Sequence, residues 1–279
     1  MIGSLAAALS LAPAKGDVAL LVRASSGLIP VRLPSLTVIT ETYLDHIRTD
    51  VDRFAAALER GPSDAPVAAC PGWDLADLAA HLGRVHRWAR RAVLDAAPPD
   101  VPPRPDPDTD WAPWLREGAH ALVEALASVD PDAPTWHPFP VAKVARVWPR
   151  RQAQETVVHR WDAEAAVGSP SPIDPELASD GIDEYFAIVV PRLGVREHRE
   201  VPSGSFHVHC TDVAGEWLVE RDGDGLRVVR EHAKGDAALR GPAEAILLRL
   251  WNRDSPRAAE LDEVGDPAVA AAWLALPGM

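Results

Sequence analysis

The chain has 279 residues, 47% of them hydrophobic and 25% charged, which is the balance of a globular protein with room for one large domain or two ordinary ones. Its net charge of −13 argues against a general nucleic-acid or anionic-membrane binder, because either needs a basic footprint to neutralise phosphate. No apolar run reaches the roughly 18–20 residues of a membrane span. The two cysteines, Cys70 and Cys210, are far apart and form no CxxC pair, so a reducing cytoplasm is the simpler compartment.

Leu5 to Leu11 is a short apolar run followed by Ala-Pro-Ala, but it lacks the basic leader of a signal peptide. Residues 1–37 mix Ala-, Ser- and Pro-rich pieces without a sustained period, and a disordered extension is expected there. From Thr40 to Arg60, Leu44, Ile47, Val51, Phe54 and Leu58 recur three and four apart and mark one apolar helix face, which Gly61-Pro62 ends. Pro71-Gly72-Trp73-Asp74 then supplies a turn and an N-cap at Asp74, with Asp77 in the first turn of a helix running to about Ala96. Its apolar side carries Leu75, Leu78, Leu82, Val85 and Trp88, and His81 adjoins that side.

Alternating Pro and Asp make Pro98 to Asp108 a loop. A third helix, Asp110 to Ser128, buries Trp111, Leu115, Leu122 and Leu126, and Gly118 and Ala119 allow close helix approach. A fourth runs from about Pro149 to Val167 and stops at Gly168. Four amphipathic helices in this span predict a helix bundle. After a further helix from Asp174 to Arg192 the period changes: Phe206, Val208 and Cys210 alternate with His207 and His209, which is strand patterning. Glu216 to Arg221 and Leu226 to His232 read as a hairpin around Asp222-Gly223-Asp224-Gly225, and two helices follow, Pro242 to Asn252 and Asp266 to Leu274. The fold class is therefore α followed by α+β: an extension at 1–37, a bundle domain at 38–195 and a small α+β domain at 196–279.

Glu155 and His159 are four residues apart on the fourth helix, separated by roughly 40° and about 6 Å of rise, so both side chains can reach one point. Spacing alone leaves two readings, half of a metal site or an unrelated pair on one helix face. A third donor from a facing helix would complete a His/His/carboxylate set suited to zinc with a position left open. His81 is the best candidate; His86, His120 and His137 compete, but His86 lies about 140° around its helix from His81. His207 and His209 share a strand face and can bind metal, although an exposed polar face is the better reading of that alternation. Cys70 lies near a helix start with no neighbouring base in the sequence and reads as structural. There are ten tryptophans, but Trp88, Trp111, Trp114 and Trp161 fall near apolar stripes and read as core or interface filler rather than a base-stacking platform.

Cys-Pro-Gly-Trp-Asp-Leu-Ala-Asp-Leu-Ala-Ala-His-Leu at 70–82 and Glu155-Thr-Val-Val-His159-Arg-Trp-Asp-Ala-Glu together resemble the mycothiol-dependent maleylpyruvate isomerase family, found mainly in actinobacteria. The resemblance implies a DinB-like four-helix bundle over roughly 40–168, with His81, Glu155 and His159 as ligands of a divalent metal, usually Zn2+. The runs Cys210-Thr-Asp-Val-Ala-Gly-Glu-Trp and Asp236-Ala-Ala-Leu-Arg-Gly-Pro-Ala, with Leu-Leu-Arg-Leu-Trp, are similar to the family's C-terminal domain, whose α+β fold is sterol-carrier-like. It further implies that the metal holds the thiol of mycothiol, whose thiolate adds to a cis-enoic acid and leaves after bond rotation. Such a substrate needs a cationic clamp, for which Arg84 and Arg240 are candidates. Two other outcomes fit the same pattern: a mycothiol-dependent thiol transferase acting on electrophiles, and a metal-stabilised ligand-binding protein without turnover.

Overall fold

The computed structural model describes residues 18–24, 27–33, 36–197, 200–223 and 225–276. Strands β1 (Val18–Ala24) and β2 (Gly27–Leu33) pair antiparallel, from Val18 opposite Leu33 to Ala24 opposite Gly27. This corrects the expectation of disorder for that stretch. Val-, Leu- and Ile-rich segments on either side of Ser25-Ser26 carry strand propensity, which a search for helical periodicity overlooks. The rest of the expected extension, residues 1–17, lies outside the described residues.

Helices α1 (Leu36–Arg60), α2 (Leu75–Asp95), α3 (Trp111–Ser128) and α4 (Val147–Ala166) form the bundle, α1 and α2 each packing on both α3 and α4. Asp74 caps α2 as its sequence suggests: its side chain accepts from the Asp77 N–H, and the Asp77 side chain accepts from the Asp74 N–H. Gly83 in α2 meets α3 closely, since a Cβ there would fall 2.1 Å from the Trp114 ring. Leu44, Ile47, Phe54, Leu78, Leu82, Leu115 and Leu122 are fully buried between the four helices.

Helix α4 departs from the amphipathic pattern. Every residue from Trp148 to Glu164 except Arg150 is buried, although the helix is strongly polar. Burying charge is tolerable only when it is paired. Arg160 binds Asp50 of α1 at 3.0 Å and Glu164 at 2.9 Å, and Glu164 also accepts from Ser171. Helix α4 is thus the central element, wrapped on all sides.

Helix α5 (Pro175–Glu184), one π-helical turn (Tyr185–Val189) and α6 (Val190–Glu197) are continuous where one helix is expected. A π turn widens the backbone locally and is common beside functional sites. Strands β3 (Phe206–Cys210), β4 (Glu216–Asp222), β5 (Gly225–Val229), β6 (Ala237–Gly241) and β7 (Asp262–Gly265) form one sheet in the order β5-β4-β3-β6-β7, with β3 and β6 parallel. β6 and β7 are not anticipated from the sequence, because Ala-Ala-Leu-Arg-Gly and Asp-Glu-Val-Gly are short and carry little alternation.

Helices α7 (Ala243–Leu250) and α8 (Pro267–Leu274) pack on the sheet, and Phe206 stacks on Trp273 of α8. That sheet face, with Phe206, Val208, Trp217, Val219 and Leu239, is buried. α5 packs chiefly on α7, so it is built into the second half of the chain more than into the bundle. The halves are joined by buried polar contacts: Gln154 donates to the Leu177 carbonyl, Arg151 pairs with Glu184, and Arg150 pairs with Asp180 and Asp183. No helix among the described residues is long and apolar enough to cross a membrane.

Candidate metal centre

His81 from α2 and Glu155 and His159 from α4 come together. His81 Nε2 lies 3.1 Å and His159 Nε2 3.4 Å from the same Glu155 oxygen, Oε1. One ligand atom from each residue falls within 4.8 Å of the others, and the two imidazole rings stand edge to face with centroids 5.1 Å apart. Glu155 and His159 are buried, whereas His81 is partly open and packs beside Trp73. One wall of the trio is therefore sealed and the other faces a cleft.

The residues behind the trio hold it in place. Glu155 Oε2 accepts from Arg151 at 2.7 Å, and Arg151 is also paired with Glu184. His159 Nδ1 is 3.0 Å from Asp162 Oδ2, and Arg253 grips that carboxylate with two donors at 3.0 and 2.7 Å. Arg253 follows α7, so the second half of the chain reaches the site through it. Burial opposes charge on Glu155, but His159, His81 and Arg151 outweigh it and hold the carboxyl well below its usual range. Burial likewise opposes charge on His159, yet Asp162 and Glu155 raise its pKa to about 9.

This donor set fits a divalent metal. Two imidazoles and one carboxylate are the ligand types of an open zinc site. A carboxylate on the far nitrogen of a ligating histidine fixes its tautomer and strengthens it as a donor, and Asp162 stands in that position. Replacing Arg253 with Ala is expected to lower metal affinity about 10–100-fold by releasing Asp162, a loss to be measured by chelator competition.

The competing histidines are placed elsewhere. His86 is fully buried against Thr156, and burial drives its pKa down to about 3. His120 is exposed beside Glu124, and His137 contacts the Ala142 carbonyl. Cys70 does have a basic neighbour, because its sulfur groups with His159 and Asp162. Burial, and secondarily the Asp162 charge, raise the thiol pKa, which suits the structural reading of Cys70.

The cleft beside the trio has a volume of about 240 Å³. His81, Glu155, Arg151 and Gln152 supply its polar wall, and Trp88, Phe139, Ile188 and Trp251 supply much of the apolar one. Neither proposed clamp residue lines it. Arg84 donates to the Pro102 carbonyl at 2.7 Å, and Arg240 is exposed on β6. The Arg84 side chain is drawn to the loop after α2 by that bond, although it lies only about 60° around the helix from His81, and Arg240 projects from the exposed face of β6. The arginines among the residues that line the cleft are Arg151 and Arg192. Asp162 was legible, three residues past His159 on the same helix; Arg253, in an irregular segment, offered no pattern.

A helix bundle with a His/Glu/His trio, joined to a small mixed-sheet domain, defines the class of this protein. Residues 44–164 match the family domain described as the mycothiol maleylpyruvate isomerase N-terminal domain, and residues 176–272 match the MDMPI C-terminal domain. The chain belongs to the mycothiol-dependent maleylpyruvate isomerase family. The second match takes in α5 and α6, which the sequence boundary after residue 195 leaves with the bundle.

Among solved structures, a mycothiol-dependent maleylpyruvate isomerase superimposes with a TM-score of 0.57 at 12% identity, over 83% of this chain and 93% of that one. A histidine-to-alanine mutant of such an isomerase gives 0.55 at 12% identity, with the same coverage of 83% and 93%. These likenesses concern the fold. Two uncharacterized proteins of Mycobacterium tuberculosis, MT0763 of strain CDC 1551 / Oshkosh and Rv0738 of strain ATCC 25618 / H37Rv, are 27% identical over 149 residues, 51% of this chain and 76% of theirs.

Proposed function

We propose that the cleft is a metal-dependent site that uses mycothiol to isomerise a maleylpyruvate-like cis-enoic acid. The observation that carries this reading is the meeting of His81, Glu155 and His159 around one carboxylate oxygen at the wall of a largely apolar cleft. Family membership supports the choice of thiol and substrate class. A divalent metal held by the three, Zn2+ first, would supply the Lewis acidity that lowers the pKa of a thiol toward neutrality.

The chain's own residues do the rest. Arg151, tied to Glu155 and Glu184, keeps the Glu155 carboxylate ionised and aimed. Arg192 brings positive charge to the cleft wall, where a substrate carboxylate meets it. Trp88, Phe139, Ile188 and Trp251 enclose the carbon skeleton and exclude water. The thiolate adds to one alkene carbon while the π pair moves into the conjugated carbonyl; the resulting single bond rotates, and loss of the thiolate restores the double bond in trans form. The thiol is returned unchanged. A reducing cytoplasm suits both a free-thiol cosubstrate and the two free cysteines.

The test is an assay of metal-loaded protein with mycothiol on maleylpyruvate and a panel of electrophiles. Isomerisation that requires both metal and thiol is expected. Conjugate formation without isomerisation would instead identify a thiol transferase, and ligand binding with neither activity a carrier.

A further inference from the structure

The histidine pair on β3 has a use that the cleft does not absorb. His207 and His209 project from one face of β3, and Glu216, at the start of β4, lies directly opposite His209 in the ladder. His232, in the segment after β5, folds over the same point. His209 Nδ1 lies 3.0 Å from Glu216 Oε1, and His232 Nδ1 lies 3.0 Å from Glu216 Oε2. The three imidazole rings surround the carboxylate with centroids 5.5–6.2 Å apart, each pair close to perpendicular. One ligand atom from each of the four residues lies within 4.8 Å of the others.

A plain hydrogen-bonded cluster does not account for His207. It is only 7% exposed, against the sequence expectation of an open polar face, and its Nε2 is buried without a hydrogen-bond partner. The nearest Glu216 oxygen is 3.9 Å away, too far for a hydrogen bond. An orphaned buried nitrogen costs about 1–3 kcal/mol and calls for an explanation.

We propose that His207, His209, Glu216 and His232 form a second metal site, independent of the cleft, for a borderline divalent transition cation such as Zn2+. Three neutral imidazoles and a carboxylate fill a tetrahedral shell, the closed arrangement of structural zinc. With metal–ligand bonds of about 2.1 Å, tetrahedral donors sit about 3.4 Å apart, so the widest separation in this cluster closes by about 1.4 Å at most. Ligation satisfies His207 Nε2 and pins the segment between β5 and β6 to the sheet. The exposed His232 is the ligand by which the ion enters.

The experiment is a metal titration of the full chain after chelator treatment, using Zn2+ for stoichiometry and Co2+ for ligand-field absorption. The His209→Ala/His232→Ala variant replaces partly open or exposed ligands, so folding is retained. It is expected to bind one equivalent fewer than the wild type. In a His81→Ala/His159→Ala background, the remaining equivalent is expected to show tetrahedral Co2+ bands, and adding His209→Ala/His232→Ala weakens it more than about 100-fold, beyond what loss of an outer partner costs. Metal is also expected to slow amide exchange in residues 230–235. Equal stoichiometry in the wild type and His209→Ala/His232→Ala overturns the proposal, whatever happens at the cleft.

Discussion

Glu155→Gln is expected to release one equivalent of metal from the cleft and to reduce thiol-dependent turnover more than about 100-fold, a larger loss than an outer partner such as Arg253 accounts for. The substitution preserves side-chain volume, so the cleft keeps its shape. It removes the one charge to which His81, His159 and Arg151 all turn. Arg151 retains Glu184, so no buried guanidinium is left alone and the fold is expected to survive. Metal analysis after dialysis, with circular dichroism as the folding control, reads the result. Full metal retention in folded Glu155→Gln would exclude Glu155 as a ligand.

Arg160→Ala is expected to produce the largest loss of stability outside the cleft, about 3–5 kcal/mol and a melting point lower by on the order of 10 °C. Arg160 is 1% exposed and joins α4 to α1 through Asp50, itself 3% exposed. Glu164 keeps its bonds from Ser171, but Asp50 loses the partner that offsets its burial. Burial already raises the Asp50 pKa despite Arg160. Without Arg160 it rises further, and a carboxyl whose folded pKa exceeds its unfolded value loses stability as pH rises through the folded pKa. The deficit is therefore expected to be smaller near the ordinary carboxylate range than at neutral pH. Asp50→Leu together with Arg160→Met is expected to restore most of it, because an apolar pair needs no compensating charge. Urea unfolding across pH separates these cases; equal deficits at all pH values would mean that Asp50 is not the stranded group.

Much of the fold was legible because its periodicities are local. The stripe at Leu44, Ile47, Val51 and Phe54, the cap at Asp74 and the alternation at Phe206, Val208 and Cys210 each announce an element within a few residues. β6 and β7 acquire strand geometry from their neighbours in the sheet, and nothing in Asp262–Gly265 favours a strand by itself. α4 misled in another way: it reads as one more amphipathic helix, whereas its charged residues are paired inside the protein. The trio at His81, Glu155 and His159 was accessible because two members share a helix face and the third follows a recognisable turn. Arg151 and Arg192 were not, since each lies on a helix whose orientation toward the cleft is set by packing.

The grip of Arg253 on Asp162 carries a thermodynamic consequence. A contact from the second domain that would strengthen a metal-ligating His159 would, by linkage, be strengthened in return by metal binding, and by the same factor. Metal binding in the cleft and docking of the domains would thus be coupled equilibria. Conditions that strip the site are expected to loosen the junction, and separating the domains is expected to loosen the site.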